Sequence, residues 1–181
     1  MDRMPSASRD DLPQFDGETA FGGALRFLPA DASPWAQRWL PAFAELRPRL
    51  DFFATDAFCT LFGRNSDENV VIFLPETGEL DALDVKENQF LALILEDPHA
   101  TIHLDLFEQA VKKFGRLAPD ETFALRIETA LGGALEIANV YKTEQTSYLI
   151  ALGKIARQIQ GMDVGDRITS VERDADTAAS D

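Results

Sequence analysis

His99 and His103 stand four residues apart, a spacing at which two imidazoles on one helical turn can share a zinc ion. The zinc-protease arrangement needs a glutamate directly after the first histidine, and Ala100 occupies that place. The chain has 2 histidines, so no His-rich site can be completed, and neighbouring Asp105 and Glu108 read as a solvated helix face. A second chemical question comes from "ETALGGALEIANVYK" (128–142): Gly132-Gly133 could cradle a phosphate or simply turn the chain. No Lys-Ser/Thr pair follows the glycines, no third spaced glycine is present, and Glu128 and Glu136 would repel an anion. The pair reads as a turn. Cys59 has no Cys-x-x-Cys partner and sits in a strand-like apolar run, where a buried small side chain is expected rather than a nucleophile. Carboxylates are so abundant, at 31, that no two stand out as an acid and a base. Trp35 and Trp39 at i, i+4 read as core anchors. No catalytic set, no metal site and no cofactor is expected; the chain does not read as an enzyme.

The elements that would position these residues follow from periodicity. Residues 1–14 carry none, and "FDGETAFGGALRFLP" (15–29) reads as a short strand or hairpin. Ser33 and Pro34 suit a helix start, with Trp35, Trp39, Phe43 and Leu46 on one face and Pro41 dividing the helix. "DAFCTLFG" (56–63) and "VVIFLP" (70–75) read as strands joined through "RNSDEN", continuing through the turn "PETGEL" to about Leu83. Two helices follow, "VKENQFLALILED" and "HATIHLDLFEQAVKKFG", the second closed by Gly115. "TFALRIETAL" reads as strand or extended chain, a final helix runs from Thr143 to Gln160, and "MDVGDRI" reads as a last short strand. Residues 169–181 read as an acidic disordered tail.

Charge is unevenly spread. The 181 residues include 31 acids against 17 lysines and arginines, a net charge of −14. From Asp67 to Glu108 eleven acids face one base, Lys86. Such a field repels nucleic acid and anionic membrane and attracts a basic partner. No run reaches the ~18–20 apolar residues of a membrane span. With one cysteine and no apolar leader, a cytoplasmic setting is the expectation.

The second half, "DLFEQAVKKFGRLAPDETFALRIETALGGALEIANVYKTEQTSYLIALGKIARQI", resembles the C-terminal domain of type VI secretion immunity proteins against DNase effectors. The resemblance rests on Leu106-Phe107, the loop Leu117 to Glu121, the turn Ala130 to Gly133, Asn139, Lys142 and the helix to Ile159. The first half, "WLPAFAELRPRLDFFATDAFCTLFG" followed by "VVIFLPETGELDAL", resembles the front end of the SUKH superfamily, and together the two cover about residues 35–168. Two departures stand out: those immunity proteins carry a longer N-terminal domain, and glycine is common where Cys59 stands. The resemblance implies an α+β scaffold that neutralises a toxin by binding it.

The expectations are therefore a single α+β domain, mainly antiparallel sheet with helices packed on one face. Residues 1–33 would form a partly flexible extension, 34–168 the domain and 169–181 the tail. The expected partner is a cognate effector, a basic nuclease; direct nucleic-acid and membrane binding are not expected. The alternative is a non-catalytic adaptor or regulator of the SUKH type. The expected contact surface is Asp67, Glu68, Glu76, Glu79, Asp81, Asp84 and Glu87, with Phe73 or Leu80 as an apolar anchor if either points outward.

Overall fold

The computed structural model describes residues 4–46, 50–160 and 162. Among them, six strands form one antiparallel sheet in chain order: β1 (Thr19–Ala20), β2 (Leu25–Phe27), β3 (Asp51–Asp56), β4 (Leu61–Arg64), β5 (Val70–Leu74) and β6 (Glu79–Ala82). A second pair, β7 (Glu121–Leu125) and β8 (Val140–Glu144), is also antiparallel. The helices are α1 (Ser33–Ala36), α2 (Glu87–Glu96), α3 (Pro98–Ile102), α4 (Leu104–Phe114) and α5 (Gln145–Ile159), with a 3-10 segment at Leu40–Leu46 after α1. The α+β class and the antiparallel sheet are as expected.

The placement of the helices on one face is corrected. Strands β3 to β5 are apolar at successive positions, so both faces of the sheet must be covered. Phe53, Phe62 and Val70 pack with Phe90, Ile94 and Phe107 of α2 and α4. On the other face Phe52, Leu61 and Phe73 pack with Trp39, just after α1, Phe43 of the 3-10 segment and Leu152 of α5. There Trp39 stacks on Phe73 at 6.4 Å between ring centres and meets Phe43 edge-on at 5.7 Å. Gly153 lets α5 approach this segment: a Cβ there would come within 2.8 Å of the Ala42 methyl.

Described residues before 34 contribute to the same packing unit. β2 pairs with β3, and Leu12, Ala20 and Leu25 are buried in the core. The strand expected at 56–63 is interrupted: Asp56 ends β3, Leu61 to Gly63 lie in β4, and residues 57–60 turn between them. Asp56 directs the turn: its Oδ1 accepts from the Phe58 and Thr60 amides at 2.9 and 2.8 Å. Cys59, inside this turn, takes a φ of 69°, a conformation that suits glycine. The helix expected from His99 onward breaks at His103, whose φ is 52°, separating α3 from α4. β8 occupies the expected start of the last helix, which begins at Gln145 because the Glu144 carboxylate caps the Thr146 and Ser147 amides. The strand expected at "MDVGDRI", the boundary at 168 and the tail at 169–181 lie outside the described residues, Met162 excepted.

Candidate partner-binding site

The acidic surface divides into carboxylates that face water and carboxylates tied to a distant part of the chain; in the first group Glu79 accepts locally from the Thr77 hydroxyl at 3.1 Å. Asp67 and Glu68 occupy the exposed β4–β5 turn, which Asn65 shapes by accepting from the Asp67 and Asn69 amides, each at 3.0 Å. Glu79 and Asp81 lie on β6 and Asp84 just beyond it, all exposed. β6 is the edge of the sheet, and acids there discourage pairing with another uncharged or acidic edge. Phe73 is fully buried and cannot anchor a partner, whereas Leu80 is 50% exposed.

The other two acids are engaged within the chain. Glu87 accepts from Arg9 at 3.0 Å and from Arg64 at 3.3 Å, tying the N-terminal segment to the start of α2. Glu76, in the β5–β6 turn, accepts from the Thr129 hydroxyl and from the Ala130 amide at 3.4 Å. That second contact leads to the loop between β7 and β8, and to a carboxylate that the sequence pattern did not single out.

Gly132-Gly133 forms the turn of that loop. Gly132 takes a φ of 86°, and the Gly133 amide donates to the Glu128 carbonyl at 2.9 Å. A Cβ on Gly133 would lie 1.8 Å from the Ile127 carbonyl oxygen, so the close backbone approach demands glycine. Asn139 clamps the far side: its amide nitrogen donates to the Ile127 and Ala134 carbonyls at 2.8 and 2.9 Å, and its oxygen accepts from the Ile127 amide at 3.0 Å. The clamp turns Ile127 outward, at 54% exposure, and Glu128 inward, at 6%.

Glu128 ends against Tyr148 of α5. The phenol donates to its carboxylate at 2.8 Å and accepts from the Leu125 amide at 3.2 Å. Burial pushes the Glu128 carboxyl up to about 7; the Tyr148 bond opposes this and the Glu76 carboxylate adds to it. Burial, with the adjacent Glu128 charge, pushes the Tyr148 phenol far up, so it remains a neutral donor. Among the described residues Glu128 makes no ion pair. The two side chains line a cleft of about 100 Å³ with Glu76, Thr129, Leu135 and His103.

The remaining sequence candidates disperse. His99 turns to Asp105, Nδ1 to Oδ1 at 2.9 Å, while the His103 ring packs edge-on against Phe58 at 6.2 Å. Among the described residues no group of three or more His, Cys, Asp or Glu could hold a metal ion. Cys59 is buried, its thiol pushed up to about 12 by burial and donating to Thr122 Oγ1 at 3.3 Å. That environment gives a poor nucleophile. Trp39 is core and Trp35 packs on it at 5.2 Å.

A loop held by "LGG" and an asparagine, closed by a strand and a long helix, is the pattern on which the sequence resemblance rested. Residues 85–156 match the family described as T6SS immunity protein Tdi1, C-terminal. The Tdi1 match takes in α2, α3, α4, β7, β8 and most of α5, hence Glu128 and Tyr148; Asp67, Glu79, Asp81 and Asp84 precede it. No curated protein matches the chain. Among solved structures, the crystal structure of Atu4351 from Agrobacterium tumefaciens aligns with a TM-score of 0.51 at 14% identity, covering 73% of this chain and 67% of that one. At that identity the likeness is one of fold. No helix among the described residues is long and apolar enough to cross a membrane.

Proposed function

We propose that the chain is an immunity protein that binds and neutralises the cognate effector of a type VI secretion system in the cytoplasm. The Tdi1 match over 85–156 carries this reading. The charge supports a basic effector, and a nuclease domain is the basic class whose substrate chemistry requires a cationic surface. The inhibitor then competes for that surface without turning anything over. The exposed acids Asp67, Glu68, Glu79, Asp81 and Asp84 would set the encounter rate, and Leu80 beside them would contribute apolar contact.

Co-expression with the product of the neighbouring gene tests the reading. The expected result is rescue of the cell from that product together with a stable stoichiometric complex. A neighbour that is harmless when expressed alone, yet still forms the complex, would replace immunity with the adaptor reading.

A further inference from the structure

Glu128 is a costly residue to keep where it stands. It is buried against α5, its carboxylate accepts from a neutral phenol, it makes no ion pair among the described residues, and the charge of Glu76, which acts on it, has the same sign. A buried carboxylate that stays charged is ordinarily balanced by a cation; without one it takes up a proton, as burial favours for Asp56. The cleft in front of it is about 100 Å³, the space of a few waters or the tip of one side chain, well below the volume a drug-sized ligand requires. Its acids exclude an anion, and its residues do not form a metal-binding group. Leu135, 48% exposed, stands at the mouth and Leu74 and Pro75 line the wall, so methylenes can lie along apolar surface while a charge reaches inward.

We propose that this cleft is a socket for one lysine or arginine side chain of the effector, with Glu128 at its floor and Glu76 at its rim. The partner's identity rests on the immunity reading; the socket's preference for a cation does not. The inserted charge meets Glu128 in a dry site, the setting in which a single residue dominates the lifetime of a complex. The titratable groups facing the site are Glu128 from its loop, Glu76 from the β5–β6 turn, Tyr148 from α5 and His103 from the α3–α4 junction. Since Glu128 must be ionised to hold a cation, binding strengthens with pH through neutrality, by roughly tenfold between pH 6 and pH 8.

The test uses the full chain and n-propylguanidinium, with n-butylammonium as a second probe, followed by NMR at constant ionic strength. Saturable shifts are expected at Leu135 and Thr129, with affinity at least tenfold lower in Glu128→Gln, which keeps an acceptor for the Tyr148 hydroxyl. The pH dependence should survive in His103→Asn, a residue that tolerates the left-handed backbone there. Equal binding by Glu128→Gln, or shifts confined to the Asp67–Asp84 rim, would overturn the socket. In the effector complex, Glu128→Gln should raise the dissociation rate at least tenfold and leave the association rate within about twofold. A complex whose lifetime ignores Glu128→Gln removes the socket from recognition while immunity stands. Absence of any complex with the wild-type chain removes the immunity reading, and the probe titration alone then decides whether the cleft holds cations.

Discussion

The carboxylates of the β6 edge and the carboxylate of Glu128 belong to one domain but obey different physics. Asp67, Glu68, Glu79, Asp81 and Asp84 stand in water, where their field reaches a partner before contact and salt screens it. Glu128 is shielded by its own loop, feels Tyr148 and Glu76 directly, and is felt by a partner only on contact. The first group governs arrival, the second residence. They also differ in what holds them: the edge acids ride on a sheet that needs no particular charge, whereas Glu128 depends on Gly133 and Asn139 for its position.

The largest expected effect comes from removing that support. Gly133→Ala would place a methyl 1.8 Å from the Ile127 carbonyl oxygen and 2.9 Å from that of Glu128, so the turn must open. A loss of about 3 kcal/mol or more is expected in urea unfolding. The Glu128 carboxyl, followed by NMR, should return towards its ordinary range as the loop exposes it. A variant as stable as the wild type, with Glu128 still buried, would show that the close approach is not what places this residue.

Next in size is the effect of pH on Glu128 itself. Its folded value is raised, from 4.5 to about 7, so its contribution to stability is complete below about pH 4.5 and is lost as pH rises through about 7. Glu128→Gln cannot lose that proton. The variant should match the wild type near pH 4 and exceed it at pH 8, by up to about 3 kcal/mol. Asp56, also raised by burial, titrates in both proteins, so the difference between them isolates Glu128. A constant difference across the range would mean that Glu128 ionises as readily in the fold as in the unfolded chain, and a difference still growing above pH 8 that it stays protonated there. Combined with slower dissociation of the wild-type complex, the predicted curve would make Glu128 a residue kept for binding at the expense of stability.

Neutralising the edge should act on the other axis. Replacing Asp67, Glu68, Glu79, Asp81 and Asp84 with Asn or Gln is expected to slow association with the effector by about tenfold at low salt and to flatten its salt dependence, leaving the dissociation rate nearly unchanged. Stopped-flow association across a salt series measures this. Unchanged rates in a folded variant would move the docking surface away from β6.

This division explains which parts of the molecule were legible in the sequence. Helix faces such as Leu106, Phe107 and Ala110 announce themselves by spacing, and α4 lies where its stripe predicts. The edge acids were visible as a run because charge density needs no three-dimensional information. Glu128 was not: one glutamate in a polar loop reads as solvated, and only the Asn139 clamp and the arrival of Tyr148 from twenty residues on turn it inward. The helix that carries Tyr148 was expected, but the partner of its phenol could not be named. The two-faced covering of the sheet was also hidden, because continuous apolar runs in β3 to β5 leave the side on which each helix packs undetermined. The β3–β4 turn was masked by Cys59, which holds a backbone angle where a glycine would have signalled it.

The smallest effect belongs to Glu87, the acid that looks like a member of the edge group and is not. Its carboxylate is held by Arg9 and Arg64, and the same junction carries the Ala7 amide on the Asn88 carbonyl at 2.9 Å. With side-chain exposures of 36% for each arginine and 22% for Glu87, the network is wet enough that solvent screens much of its attraction. Glu87→Gln should therefore cost about 0.5–1 kcal/mol, shrinking in high salt, through a looser attachment of the N-terminal segment. Its carboxylate is already answered by two guanidinium groups, so its field at a distance is largely cancelled. Association with the effector should stay within about twofold of wild type, where each exposed edge acid contributes measurably. A Glu87→Gln variant that slows association as much as Asp81→Asn would show that the cancelled charge still steers, and that accessibility to water, not internal pairing, decides which carboxylates a partner senses.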